Sequence, residues 1–236
     1  MTITYIHHSC FLIEQEQVVL LFDYAGGTLP PLPKDKALVV FVSHRHEDHF
    51  SPAIFELAAA HPKTRFLLSD DIWQNRVPEH LNCWTEFMDP GKVRHLSEGA
   101  GLQVRAFKST DEGVAYLVES EGCTIYHAGD LNDWKWNGET KAWNNNMSAN
   151  YKRELAKIHD AGFQPDIAMV PLDGRQEEWF CLGLQEFMET VGAKQVFPMH
   201  FWEDYSVIDR LKALPCSEGY RDRIADIRQE GQIFEV

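Results

Sequence analysis

No apolar run in this 236-residue chain approaches the roughly 20 consecutive positions that a membrane-crossing helix needs. Clusters of Lys and Arg are also missing, and 22 Lys and Arg against 36 Asp and Glu leave a formal charge of −14. Such a balance repels nucleic-acid backbones and anionic membranes, so neither is an expected partner. Cysteine is sparse: Cys10, Cys83, Cys123, Cys181 and Cys216 are odd in number and form no C-x-x-C pair, so no disulfide framework is implied. Most of them are expected to be small buried residues. Residues 1–8 have neither the basic region nor the apolar stretch of a signal peptide, which makes a cytoplasmic location the expectation.

The remainder, 44% hydrophobic, is that of an ordinary globular protein, and the length suits one layered domain over 1–236. Short apolar runs predict strands over 2–6, 10–14, 18–22 and 37–42, and again over 65–68, 102–107, 114–119 and 124–127. Ser51 and Pro52 read as the start of a helix, and a short helix is expected over 70–76. Residues 131–146, rich in Trp and Asn, lack clear periodicity and are expected to be a long loop or lid; helical spacing resumes over 149–161. The last third alternates strand (166–170), helix (184–191), strand (195–199) and helix (207–214), with a closing strand at 232–236. Strand-rich then mixed, twice over, predicts an α/β chain with two sheets flanked by helices.

What the chain has in abundance is imidazole beside carboxylate. Ser43-His44-Arg45-His46-Glu47-Asp48-His49 directly follows the apolar run 37–42 and places His44, His46, Asp48 and His49 in the pattern H-x-H-x-D-H. These side chains suit zinc, iron and manganese, and so dense a cluster at a strand end points to a metal site rather than a solvated loop. Other predicted strands also end in ionisable residues: Phe22 is followed by Asp23, Tyr126 by His127 with Asp130 close behind, and Met199 by His200. A fold that gathers these ends at one edge assembles a His/Asp pocket.

In that order these segments resemble the metallo-β-lactamase superfamily, the carriers being 4–14, 21–23, 43–49, 126–130, 167–172 and 197–200. The resemblance implies a four-layer αββα sandwich with the metal site at one edge between the sheets. It also implies one or two divalent ions, zinc first, with manganese or iron as alternatives. His44 and His46 correspond to ligands of a first ion, Asp48, His49 and His200 to ligands of a second, and Asp130 to the bridging carboxylate. Asp23 is similar to an outer group that accepts the far N–H of a ligating imidazole. His7-His8-Ser9 resembles a turn of the branch that includes L-ascorbate-6-phosphate lactonase, which puts His8 near the site and points to a phosphorylated sugar-like substrate.

The superfamily usually supplies a third histidine to the first ion, and the segment 107–113 that fits that position has none. Ser109, Asp111 and His127 remain as substitutes, the alternatives being a weak first site or a single ion held by Asp48, His49, Asp130 and His200. Trp134, Trp136 and Trp143, with Trp202 after His200, are candidates for a binding wall. The implied activity is hydrolysis of a small ester, lactone, amide or phosphodiester by metal-bound hydroxide, with Asp48 or His127 assisting proton movement. The competing reading is a metal-binding sensor or interaction module that hydrolyses nothing. A small molecule is the expected partner, with a homo-oligomer left open.

Overall fold

The computed structural model describes residues 1–99 and 101–236. Seven strands build the first sheet: β1 Thr2–His7, β2 Cys10–Glu14, β3 Val18–Phe22, β4 Ala37–Val42, β5 Thr64–Ser69, β6 Thr85–Met88 and the C-terminal strand Ile233–Glu235. Six build the second: β7 Val93–Leu96, β8 Leu102–Lys108, β9 Val114–Ser120, β10 Cys123–His127, β11 Ile167–Pro171 and β12 Gln195–Met199, so that the C-terminal strand is β13. The first sheet runs β13-β1-β2-β3-β4-β5-β6 and the second β12-β11-β10-β9-β8-β7.

Alternation explains why the sheets stack. On β3, Val18, Leu20 and Phe22 face the core shared with the second sheet, while Val19 and Leu21 face a smaller core on the outside. On β4, Val39 and Phe41 point inward and Leu38, Val40 and Val42 outward. A strand buried on both faces reads as a solid apolar run, which is why these two were plain in the sequence. The outer core is closed by Ile54 and Phe55 of a 3-10 turn, Pro52–Glu56, that leads into the one-turn helix α1, Leu57–Ala60. Beyond the second sheet lie α2 Lys141–Asp160, α3 Leu182–Thr190 and α4 Ser206–Ala213, whose Tyr151, Leu155, Leu184, Phe187, Val207 and Leu211 join the central core. The four layers are thus those of an αββα sandwich.

Several expectations need correction. The stretch 131–146 is a loop only as far as Thr140, which caps α2 by accepting from the Trp143 N–H at 3.2 Å. The helical period was hidden because the buried face opens with Asn144 and Ser148 instead of apolar residues. Asn144 earns that burial by bonding both the N–H and the C=O of Trp136, each at 3.0 Å, so it pins the loop to the helix. The expected helix over 70–76 is a 3-10 turn at Gln74–Arg76, and β6 and β7 carry too few buried positions to show a strand pattern. Only Cys10 and Cys181 of the cysteines are buried. No helix among the described residues is long and apolar enough to cross a membrane.

Candidate metal centre

Parallel pairing sets β3, β4 and β5 side by side in one sheet and β10, β11 and β12 in the other. Their carboxyl ends therefore open at one edge of the sandwich, where α/β folds place ligands. The sheets touch there: the Val114 N–H donates to the Ser43 carbonyl at 2.9 Å. Gly113 makes this approach possible, since its φ is +67° and a Cβ would lie 2.0 Å from the Ser43 oxygen.

Around Ser43 the ligand-type side chains fall into two groups. His8, Asp48, His49 and His200 each offer an atom to one; His44, His46, Asp111 and Asp130 to the other. Asp130 also reaches the first group, with Oδ1 3.3 Å from His49 Nε2 and 3.5 Å from His200 Nε2, while its Oδ2 lies 3.5 Å from His44 Nε2. Asp48 Oδ2 stands 3.3 Å from His8 Nε2 and 3.8 Å from both His49 Nε2 and His200 Nε2. His46 Nδ1 is 3.0 Å from His44 Nε2 and 3.7 Å from Asp111 Oδ2.

These separations match a cation better than a hydrogen-bond network. Ligand atoms bound tetrahedrally at about 2.0–2.1 Å stand about 3.3 Å apart. His49 Nε2, His8 Nε2 and Asp130 Oδ1 are buried and make no hydrogen bond, which is costly unless another partner is supplied. The donor set of imidazole and carboxylate, each free on the side facing the gap, fits one divalent ion per group.

Outer contacts fix which nitrogen faces inward. Asp23 accepts from the Ser43 N–H at 2.7 Å, the Ser43 hydroxyl at 2.6 Å and the His49 Nδ1 at 2.7 Å, leaving His49 Nε2 for the gap. His44 Nδ1 lies 2.9 Å from the Ser43 hydroxyl, and His200 Nδ1 3.1 Å from Asp173 Oδ2, with the same consequence. His46 is turned the other way, its Nε2 3.4 Å from Glu112 and its Nδ1 inward. Backbone strain gathers here too: His8, Asp23, His200 and Trp202 all have positive φ, from 46° to 65°. Each costs about 1 kcal/mol or more and signals geometry held for function.

Electrostatics follow the packing. Burial, with His49 beside it, pushes His44 down to about 4, and burial takes His8 to about 4. Burial would lower His200 as well, but Asp130 and Asp173 carry it up to about 10. Asp130 is buried, yet His49 and His200 hold its carboxyl well below the usual range. Asp111 moves the other way, raised by burial and by the neighbouring Asp130 charge. A divalent cation between Asp111 and Asp130 would relieve that repulsion.

His127 does not belong to this set. Its Nε2 donates to the Ser9 carbonyl at 2.9 Å, its Nδ1 accepts from the Gly129 N–H at 3.1 Å, and its ring stacks on Phe22. With both nitrogens held by backbone it is neither a ligand nor a proton carrier. Ser109 is buried and accepts from the Asp111 N–H at 3.2 Å, so it shapes the loop. The substitute that reaches the gap is Asp111. Asp173 and Glu112 were missed: each is one acid beside a strand or turn, with no pattern of its own, although Asp173 lies just past a segment already singled out.

A cavity of about 290 Å³ opens onto both groups, with His46, Asp48, Asp111, Asp130 and His200 on its floor. Trp134, Trp136, Trp143 and Trp202 line it, together with Met147 and Arg175. A larger depression of about 630 Å³, beside Leu102, Glu119 and Thr124, holds none of these residues.

Residues 2–142 match the family model of the beta-lactamase superfamily domain. The chain belongs to that superfamily. A protein of Methanocorpusculum labreanum described as a UPF0173 metal-dependent hydrolase is 30% identical over 217 residues, covering 85% of this chain and 83% of its own. A second of that description, from Methanospirillum hungatei, is 25% identical over 233 residues, covering 90% and 86%. This superfamily member is accordingly a metal-dependent hydrolase. Among solved structures, Igni18, a metallo hydrolase of the archaeon Ignicoccus hospitalis, shares the fold over 100% of this chain and 98% of its own, with a TM-score of 0.66 and 18% identity. CmlA, a diiron β-hydroxylase of Streptomyces venezuelae, shares it over 84% of this chain and 44% of its own, with a TM-score of 0.53 and 13% identity.

Proposed function

We propose that this superfamily member hydrolyses a small ester, lactone, amide or phosphodiester at a two-ion centre, with zinc as the working ion. The observation that carries the reading is that an Asp111 carboxylate oxygen lies with the ligand-type atoms of His44, His46 and Asp130, where it would stand in for a histidine. His44, His46, Asp111 and Asp130 would hold one ion, and His8, Asp48, His49 and His200, with Asp130 reaching across, would hold the other. Divalent ions bound there acidify water and polarise the oxygen of an acyl or phosphoryl group.

The chain's own groups do the rest. Asp130, reaching both groups through different oxygens, sets their spacing. Asp48 is the part-exposed carboxylate at the cavity floor, placed to receive the proton that attacking water gives up. His8 Nε2 stands 3.3 Å from the Oδ2 of Asp48 in the same group, and burial keeps the ring neutral and able to offer a lone pair to an ion. Trp134 covers His200 at 5.2 Å between ring centres and donates its Nε1 to the Asp130 carbonyl at 2.8 Å, which excludes water from that flank.

The test is metal analysis of the purified protein, followed by an ester, lactone, amide and phosphodiester panel with Asp130→Ala as control. Turnover of at least one class above the control, with about two equivalents of zinc, is the expected result. Tight metal binding without turnover of any class would favour a sensor or interaction module.

A further inference from the structure

We infer that the non-reacting part of the substrate is a flat aromatic ring, clamped between tryptophans and oriented by Arg175. This rests on the metal-centre reading above, since the ring is placed relative to that centre. Two faces bound the slot. Trp134 and Trp136 stack at 6.0 Å with planes 4° apart and form one wall, and Trp143 and Met147 of α2 also line the cavity. Trp202 forms the other: it packs on His8 at 4.5 Å, leans on His200 at 5.8 Å and remains 48% exposed.

Trp202 is the telling residue. A half-exposed indole adds little to the core, and its backbone sits at φ 49°, where a residue with a bulky side chain is strained. Arg175 bridges the walls, its guanidinium 4.6 Å from the Trp202 ring and 5.9 Å from Trp136. Its Nε is held by Asp173 at 2.9 Å, which fixes the direction of the guanidinium. Its Nη1 remains available for an oxygen acceptor on the ring.

The polar inventory favours an aromatic ring over a sugar. Apart from Arg175 and indole N–H groups, which only donate, every polar side chain lining the cavity belongs to the metal groups. Sugar hydroxyls would find no neutral acceptor among the side chains that line the slot away from the metal groups. An aromatic ring needs no acceptor, and it gains offset or edge contacts with indoles on both sides. The volume of about 290 Å³ suits a single ring with its reacting group.

The experiment uses the zinc-loaded full chain and two inert probes, phenylphosphonate and methylphosphonate, titrated by calorimetry and by tryptophan fluorescence. Phenylphosphonate should bind at least about tenfold tighter, as burial of a ring implies. Trp202→Ala should remove most of that ratio while leaving methylphosphonate affinity unchanged, and Trp202→Phe should restore it. Equal affinities for the two probes, or equal weakening of both in Trp202→Ala, would overturn the aromatic slot while the metal centre stands. Tighter binding of a hexose phosphate than of phenylphosphonate would overturn it in favour of a carbohydrate. Failure of methylphosphonate to bind, or of zinc to load, would bring down the metal-centre reading and the slot with it.

Discussion

Around His49 and His200 each imidazole is backed by a fully buried carboxylate, Asp23 or Asp173, whereas His44 leans on a serine hydroxyl and His46 on the half-buried Glu112. His49 is buried completely, while the side chain of His46 is 41% exposed. One group is therefore set rigidly by charged hydrogen bonds inside the protein, and the other includes a loop residue, Asp111. A carboxylate in place of a neutral imidazole adds a negative charge and loses a ring locked by packing. The two halves should hold their ions unequally, the His49 half more tightly.

The strongest disruption of both halves is Asp130→Ala, the residue they share. Hydrolysis should fall by more than about a hundredfold, exceeding the loss typical of an outer partner, and both ions should weaken, as read by turnover and by metal content after dialysis. Asp111→Ala separates the halves: one zinc equivalent should be lost and one kept, whereas Asp111→His should keep both. Asp23→Asn and Asp173→Asn attack the rigid half from behind, each costing about 10–100-fold in affinity at the tighter site with the weaker one little changed. Competition with a chromophoric chelator reads this directly. Chelation of the wild type, compared with free zinc at about 1,000 times Kd, should lower the melting temperature by about 8–16 °C, from about 4 kcal/mol of linkage and about 2–4 °C per kcal/mol. The smallest effect on metal is expected from His127→Phe. It should leave both ions in place and cost about 1–3 kcal/mol of stability, measured in urea, through the unpaired Ser9 carbonyl and Gly129 N–H.

The same contrast explains what could be read from the chain. The strands that are buried on both faces, such as β3 and β4, write themselves as apolar runs, and the H-x-H-x-D-H cluster sits at the end of one. Asp111 could be named among the substitutes but not chosen, because the choice depends on how closely β9 approaches Ser43 through Gly113, a contact between sheets. His127 looked like a site residue because it ends a strand beside Asp130, and only its backbone partners show otherwise. Asp173 backs a histidine 27 positions away, a pairing made by adjacent parallel strands and invisible to local spacing. The start of α2 was concealed by a buried asparagine, a polar residue whose burial makes sense only once its bonds to Trp136 are seen.

Asp111 is proposed to complete a second, weaker ion site beside a rigid one. A zinc-loaded crystal measured at the zinc absorption edge tests it most directly. Two anomalous peaks are expected, one of them about 2.0–2.2 Å from His44 Nε2, His46 Nδ1 and an Asp111 oxygen. A single peak among Asp48, His49 and His200, with Asp111 turned to solvent at saturating zinc, would contradict it.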